Sequence, residues 1–257
     1  MKSIGAIRQE DTEDLWGYAK RLRFIRDTIH DAFYHRSPAE LQLLDVGCGN
    51  GSQLALPLTR DGLQITGIDT DERSIARARS LATGAINARF ICGRVEDLPD
   101  EKLFDVIILS EVLEHTKAPQ KLLHASIKHL EPDGVVVVTV PNGYGEFEID
   151  SWLFRGLRLQ RVVDALVSNK NEVVGATDNL ESGHVQFFTR KRLRRLFAEC
   201  GLVVMREGSG SLFAGPMAGH VLARSTRFIE WNARITERLP FACASSWYFA
   251  LWRQPDW

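Results

Sequence analysis

The spacing of apolar positions along the chain alternates between steps of three or four and short unbroken runs. Leu15, Ala19, Leu22, Ile25, Ile29 and Phe33 recur at helical spacing and predict an amphipathic helix over 11–36. Asp11 or Thr12 can cap its start, and Ser37-Pro38 ends it. Unbroken apolar runs then predict buried strands at 41–46, 63–68, 88–92 and 104–109. A further run at 135–140 consists of valines and one threonine, the composition of a buried β-branched strand. Helical patterns separate most of the runs, at 52–60, 71–83 and 119–130. Strands apolar on both sides, alternating with amphipathic helices, indicate a parallel sheet covered on both faces, an α/β doubly wound fold.

The alternation breaks at 142–187, where an apolar-basic stretch gives way to polar GATDNLESGH. A helix from Thr189 to Cys200, a strand at 202–205, a mostly helical 211–240 and an aromatic β-prone 246–252 follow. The expected layout is an N-terminal helical cap over 1–40, and a core from 41–141, 188–210 and 245–253. Segments 142–187 and 211–244 then form a substrate lid. Lys plus Arg is 32 and Asp plus Glu 33, a net charge of −1, which disfavours a nucleic-acid coat. Arg190, Lys191, Arg192, Arg194 and Arg195 cluster, but Leu193, Leu196, Phe197 and Cys200 give that helix an apolar face and leave the cations on its solvated side. Cys48, Cys92, Cys200 and Cys243 are scattered without a CxxC pair, so neither a disulfide frame nor a thiolate zinc site is expected. With no apolar signal core and no bilayer-length apolar run, the expected location is the cytoplasm.

The chemistry starts where the first strand hands over to a helix, at Asp45-Val46-Gly47-Cys48-Gly49-Asn50-Gly51. Glycines there let the backbone turn sharply and approach a ligand. Asp69, at the end of the second strand, can accept hydrogen bonds from a ribose diol. The dinucleotide fingerprint requires G-x-G-x-x-G, whereas these glycines fall as G-x-G-x-G and Ser52 takes the sixth position. Asp45 beside the turn would repel a pyrophosphate and suits an ammonium group. A nucleoside with a cationic amino-acid end fits, and S-adenosylmethionine is one.

At this point the chain resembles the class I S-adenosylmethionine-dependent methyltransferases, in their small-molecule, ubiquinone-type O-methyltransferase branch. The residues that carry the likeness are Asp45-x-Gly47-x-Gly49-x-Gly51, Gly67-Ile68-Asp69, Glu96-Asp97-Leu98-Pro99, the run from Phe104 to His115, and Leu130-Glu131-Pro132-Asp133-Gly134. The resemblance implies a Rossmann-like, mostly parallel seven-stranded sheet with inserted lid segments. It also implies roles by position. Asp45, Gly47, Cys48, Gly49 and Gly51 line the methionine and ribose portion, and Asp69 holds the ribose hydroxyls with Thr70 beside the adenine. Val95 and Glu96 lie along the adenine edge, and Ser110 and Glu111 sit near the methionine end. Two positions depart from the family pattern: Arg94 stands where many relatives carry Asp, and Asp133 replaces a turn glycine.

Methyl transfer needs orientation of two reactants and, for a hydroxyl acceptor, a base. His115 and His184 are the candidate bases. Glu111, Glu114, His115 and His184 form a candidate set for a divalent metal that lowers a hydroxyl's pKa. Asn142 and Tyr144, after the fifth strand, are candidate substrate contacts. The acceptor expected is an oxygen on a small molecule, a sugar or a lipid-linked metabolite, with S-adenosylhomocysteine as the product. N-methylation, NAD(P)-dependent oxidoreduction and a non-catalytic cofactor-binding module are the alternatives. Aromatic and basic residues around 143–167 and 211–240 allow a homodimer contact.

Overall fold

The computed structural model describes residues 13–143, 185–214 and 225–254. Its centre is a seven-stranded sheet built from β1 (Gln42–Val46), β2 (Gln64–Asp69), β3 (Ala88–Cys92), β4 (Phe104–Ser110), β5 (Leu130–Pro141), β6 (Leu202–Ser209) and β7 (Ser246–Arg253). The spatial order is β3-β2-β1-β4-β5-β7-β6. The strands from β3 to β5 run parallel, and β7 lies antiparallel between β5 and β6. Strand order reverses between β1 and β4, so their carboxyl ends flank the crevice where doubly wound sheets bind ligands.

Two-sided burial accounts for the continuous apolar runs. Along β4, Ile107 and Leu109 enter one core while Val106 and Ile108 enter the other. Valines of β5 divide in the same way, Val136 and Val138 against Val135 and Val137. The first core is covered by α4 (Pro119–Lys128) and α5 (Arg190–Glu199), through Leu123, Ile127, Leu193 and Phe197. The second is covered by α1 (Tyr18–Ala32), α2 (Ala55–Arg60) and α3 (Glu72–Leu81), through Leu22, Ile25, Leu58 and Ile75. The last described helix, α6 (Thr226–Ile235), follows β6, and Asn232 brackets Phe213 by accepting from its N–H and donating to its carbonyl, both at 2.8 Å.

Several boundaries differ from expectation for local reasons. Helix α1 starts at Tyr18 rather than near residue 11, because Gly17 takes a φ of 76°. Side chains of Asp14 and Glu13 accept the open N–H groups of Tyr18 and Ala19, at 2.9 and 3.0 Å. In α2 the first helical residue is Ala55, and 51–54 form turns. Within 211–240 the helix described is α6 alone, and 215–224 lie outside the described residues. The basic residues of α5 bond locally: Arg190 and Arg194 share Glu207, and Arg195 pairs with Glu199. Those contacts fit a solvated face.

Candidate functional site

The carboxyl ends of β1, β2 and β4 meet around the glycine turn. Gly47 and Cys48 both donate their N–H groups to the carbonyl of Ile68, at 2.8 and 3.1 Å, which ties the turn to β2. Gly47 has a φ of 70°, and a Cβ there would stand 2.6 Å from a methyl of Val112. Gly49 has a φ of 54° and nothing within 4 Å of where its Cβ would point. The turn therefore presents bare backbone to open space, a cradle for a ligand.

Asp69 closes this cradle. One of its oxygens accepts from Gly49 N–H at 2.8 Å and the other from Asp71 N–H at 2.9 Å. Each carboxylate oxygen has two acceptor directions, so each keeps one for a hydroxyl of a diol. Asp45 lies beneath, only 3% exposed. Burial, and then the charge of Asp69, push its carboxyl up to about 7, against the opposing pull of Arg21. The same burial and the charges of Asp45 and Asp69 drive the Cys48 thiol far up, so it stays protonated.

At the end of β4 the backbone is strained. Glu111 has a φ of 56°, a conformation that costs a residue with a Cβ roughly 1 kcal/mol. The fold holds it there from Thr139 on β5: Glu111 donates its N–H to the Thr139 carbonyl at 2.9 Å and accepts from the Thr139 hydroxyl at 2.9 Å. Ser110 completes the chain of hydroxyls, 2.8 Å from Thr139 Oγ1. Next come Glu114 and His115 on a short 3-10 turn, Leu113–His115. Glu114 is 1% exposed, and neither of its carboxylate oxygens has a hydrogen-bond partner among the described residues. Burial and the charge of Glu111 hold its carboxyl well above the usual range. His115 is exposed, with Nε2 3.9 Å from Glu114 Oε1. Val185 and Gln186 return to this turn and donate N–H groups to the Glu114 carbonyl, at 3.0 and 3.2 Å.

Arg21 is the residue that the sequence reading missed. It reaches the site from α1, donating from Nη2 to Gln53 Oε1 at 2.8 Å and standing 3.8 Å from Glu111 Oε1. Its Nε is buried with no hydrogen-bond partner among the described residues. The available signal was its alignment with Ile25 and Thr28 on one helical face, where a cation is out of place unless it serves something.

The remaining expectations divide. Thr70, just after β2, and Glu96, on the 3-10 turn Val95–Asp97 of the β3–β4 connection, are exposed, and Val95 is buried. Asn142 is 3% exposed, and its amide donates to the carbonyls of Ala242 and Ala244, both at 2.9 Å. That side chain fastens the end of β5 to the segment leading into β7. Tyr144 and His184 lie outside the described residues. Among the described residues, no three His, Cys, Asp or Glu side chains group to hold a metal ion.

A glycine cradle, a diol-ready carboxylate and a buried acid at a doubly wound switch point are the parts that a nucleoside cofactor requires. A family model described as a methyltransferase domain matches residues 16–207. The chain belongs to this family, the S-adenosylmethionine-dependent methyltransferases of class I. It is 34% identical over 123 residues to the ubiquinone biosynthesis O-methyltransferase of Rickettsia akari strain Hartford, covering 48% of each chain. The chain thus spans about half the length of the curated relatives it matches. Among solved structures, it is similar to the magnesium protoporphyrin IX methyltransferase of Synechocystis PCC 6803 with bound SAH. The TM-score is 0.51 at 15% identity, over 91% of this chain and 86% of that one. PKMT2 of Rickettsia typhi in complex with AdoHcy gives 0.57 at 16% identity, over 93% of this chain and 54% of that one. No helix among the described residues is long and apolar enough to cross a membrane.

The residues present fit S-adenosylmethionine. Bare backbone at Gly49 leaves room for the nucleoside, and Asp69 retains acceptor capacity for the ribose. The buried acid Asp45 suits a cationic amino-acid end.

Proposed function

We propose that this chain methylates an oxygen of a small-molecule acceptor. The observation that carries the reading is the exposed imidazole of His115 on the 3-10 turn after β4, at the same carboxyl edge of the sheet as the glycine turn and Asp69. The relative named an O-methyltransferase of ubiquinone biosynthesis favours an oxygen acceptor of the ubiquinone-precursor, lipid-linked kind. S-adenosylmethionine supplies an electrophilic methyl on a sulfonium. Gly47, Gly49 and Gly51 let backbone approach the nucleoside, and Asp69 accepts from the ribose hydroxyls. Thr70, Val95 and Glu96 border the adenine. Asp45 and Glu111 offer negative charge to the ammonium, with Cys48 packed as a neutral thiol. Arg21, a guanidinium set among these acids, meets the methionine carboxylate. Ser110 and Thr139 fix the rotamer of Glu111. His115 Nε2 takes the proton of the acceptor hydroxyl as it attacks.

The test is turnover of labelled S-adenosylmethionine with phenolic and amine acceptors of matched shape. His115→Ala should lower kcat with the oxygen acceptor by about a hundredfold or more while leaving S-adenosylhomocysteine affinity unchanged. Unchanged turnover across the pH range removes His115 as the base, and amine-only turnover replaces the oxygen reading with N-methylation.

A second reading adds a divalent ion held by Glu111, Glu114, His115 and His184, which would lower the acceptor's pKa. The two buried Glu114 oxygens favour it, while Glu111, Glu114 and His115 do not by themselves group to hold an ion. Loss of activity on dialysis against a chelator, restored by magnesium, supports it; full activity after chelation dismisses it.

A further inference from the structure

Lys20 and Arg21 are neighbours on α1, and successive helical residues point about 100° apart. Arg21 enters the site. Lys20 turns instead toward α6, with a side chain only 13% exposed. Its Nζ donates to Thr236 Oγ1 at 2.7 Å, to the Ala233 carbonyl at 2.9 Å and to the Gly210 carbonyl at 3.4 Å. Glu237 Oε1 lies 3.9 Å away. Thus all three ammonium donors have an acceptor. Ala233 lies in the last turn of α6 and Thr236 is its C-cap, where open carbonyls and the helix dipole favour a cation. Gly210 follows β6, whose end lies at the carboxyl edge, because β6 is antiparallel to β7 and β7 to β5.

This junction fixes α1 in rotation and along its axis. The start of the helix is held to the same region: Gly17 carries a φ of 76° with the Ser211 nitrogen 3.1 Å from where its Cβ would be, and Tyr248 donates to the Gly17 carbonyl at 3.3 Å. Arg21 has weaker fastenings of its own, one bond to Gln53 and a 3.8 Å approach to Glu111. Its guanidinium therefore goes where α1 places it.

We propose that Lys20 is a positioning residue: by locking α1 to the last turn of α6, it sets Arg21 for the carboxylate of the cofactor's methionine end. The inference rests on the assignment of Arg21 made above. A displacement of about 1 Å at such a contact is enough to matter by orders of magnitude.

Two ligands separate the possibilities by calorimetry on the full chain. S-adenosylhomocysteine carries the carboxylate, whereas 5′-methylthioadenosine has the nucleoside and thioether but no amino-acid end. Lys20→Met should weaken S-adenosylhomocysteine about tenfold and leave 5′-methylthioadenosine within about twofold, with Lys20→Arg recovering most of the loss. Thr236→Val, which cuts the junction from the α6 side at constant volume, should act in the same direction, and it carries the test if Lys20→Met does not fold. The Lys20→Met, Arg21→Met double variant should bind no more weakly than Arg21→Met alone. Equal weakening of both ligands by Lys20→Met and Thr236→Val, or no weakening of either, overturns the positioning role while Arg21→Met still discriminates between the ligands. An Arg21→Met variant that does not discriminate overturns the carboxylate assignment itself, and the proposal falls with it.

Discussion

Asp45 is a carboxyl whose ionisation the fold shifts toward neutral pH. Burial and the neighbouring Asp69 push it up to about 7, so in the cofactor-free protein it holds its proton at pH values where an unfolded chain has already lost it. The gap from the usual value near 4 corresponds to ~4 kcal/mol against the buried anion. The sign follows from which state binds the proton. Below pH 4 both states are protonated and this penalty is absent; as pH rises toward 7 the unfolded state ionises first, and stability falls across that window. A cationic ligand reverses the preference and expels the proton. Cofactor affinity should therefore rise between pH 6 and 8, by up to about tenfold per pH unit below 7. Calorimetry in buffers of different ionisation enthalpy should detect proton release on binding. Asp45→Asn should flatten the pH dependence and remove the buffer effect; a slope that survives the substitution would mean another group titrates. The placement of these acids was legible, because one precedes a glycine turn and the other ends the next strand, and the structure brings Asp69 to the Gly49 N–H. Asn142 and Arg21 were not. Its place after the fifth strand makes Asn142 a candidate substrate contact, and nothing local in the sequence announces that its amide bonds carbonyls 100 and 102 residues away. Arg21 sits inside a periodic helix, and its only mark is a cation aligned with the buried Ile25 and Thr28.

Among the elements, the ring of Phe90 decides two glycines at once. A Cβ on Gly67 would lie 2.7 Å from Phe90 Cδ1 and 2.8 Å from Cys48 Sγ, and one on Gly51 would lie 2.9 Å from Phe90 Cε1. Gly67 is in mid-strand on β2 and pairs with both Asp45 and Phe90, so its smallness reflects this packing rather than a turn. Gly67→Ala should destabilise the chain by about 1–3 kcal/mol, the usual cost of overpacking. In a Phe90→Leu background the same substitution should cost measurably less, because the smaller side chain leaves room beside β2. Denaturant titration of the four proteins closes the cycle, and additive effects would show that Phe90 is not the obstacle. The parallel strands themselves were legible because burial on two faces leaves an unbroken apolar record. Strand β5 was read too short. Its polar Glu131, Pro132 and Asp133 look like a turn, but pairing with β4 slips between Phe104 and Val106 and accommodates them. Strand β6 was also read short, since its second half, Arg206 to Ser209, is polar while its backbone still pairs with β7 through Trp247.

At the scale of the whole molecule, α1 joins the second core to the site. Leu22, Ile25, Ile29 and Phe33 are buried together with Leu43 of β1, Val106 of β4 and Tyr248 of β7. Polar contacts fasten the same helix elsewhere. Arg26 pairs with Asp61 at 2.6 Å, Arg36 beyond the helix pairs with Asp105, and Arg206 of β6 reaches Asp27 and Asp31. The exposed pairs of Arg206 contribute little singly, whereas Asp105 of the Arg36 pair is buried. The apolar residues decide the matter: four buried side chains at about 1.5–3 kcal/mol each amount to about 6–12 kcal/mol, close to the entire stability of a typical domain. A hinged cover could be removed and leave the sheet folded; a wall of the core could not. A chain beginning at residue 37 should therefore lose its cooperative thermal transition, retain much of its far-ultraviolet signal and bind a hydrophobic dye. A cooperative melt within a few degrees of the full chain would instead make α1 a detachable cover. In that case Arg21 would reach the cofactor only on closure, and the association rate should depend on viscosity. The packed arrangement implies the opposite, with Arg21 set in place when the core forms and the cost of ordering it met during folding rather than during each turnover.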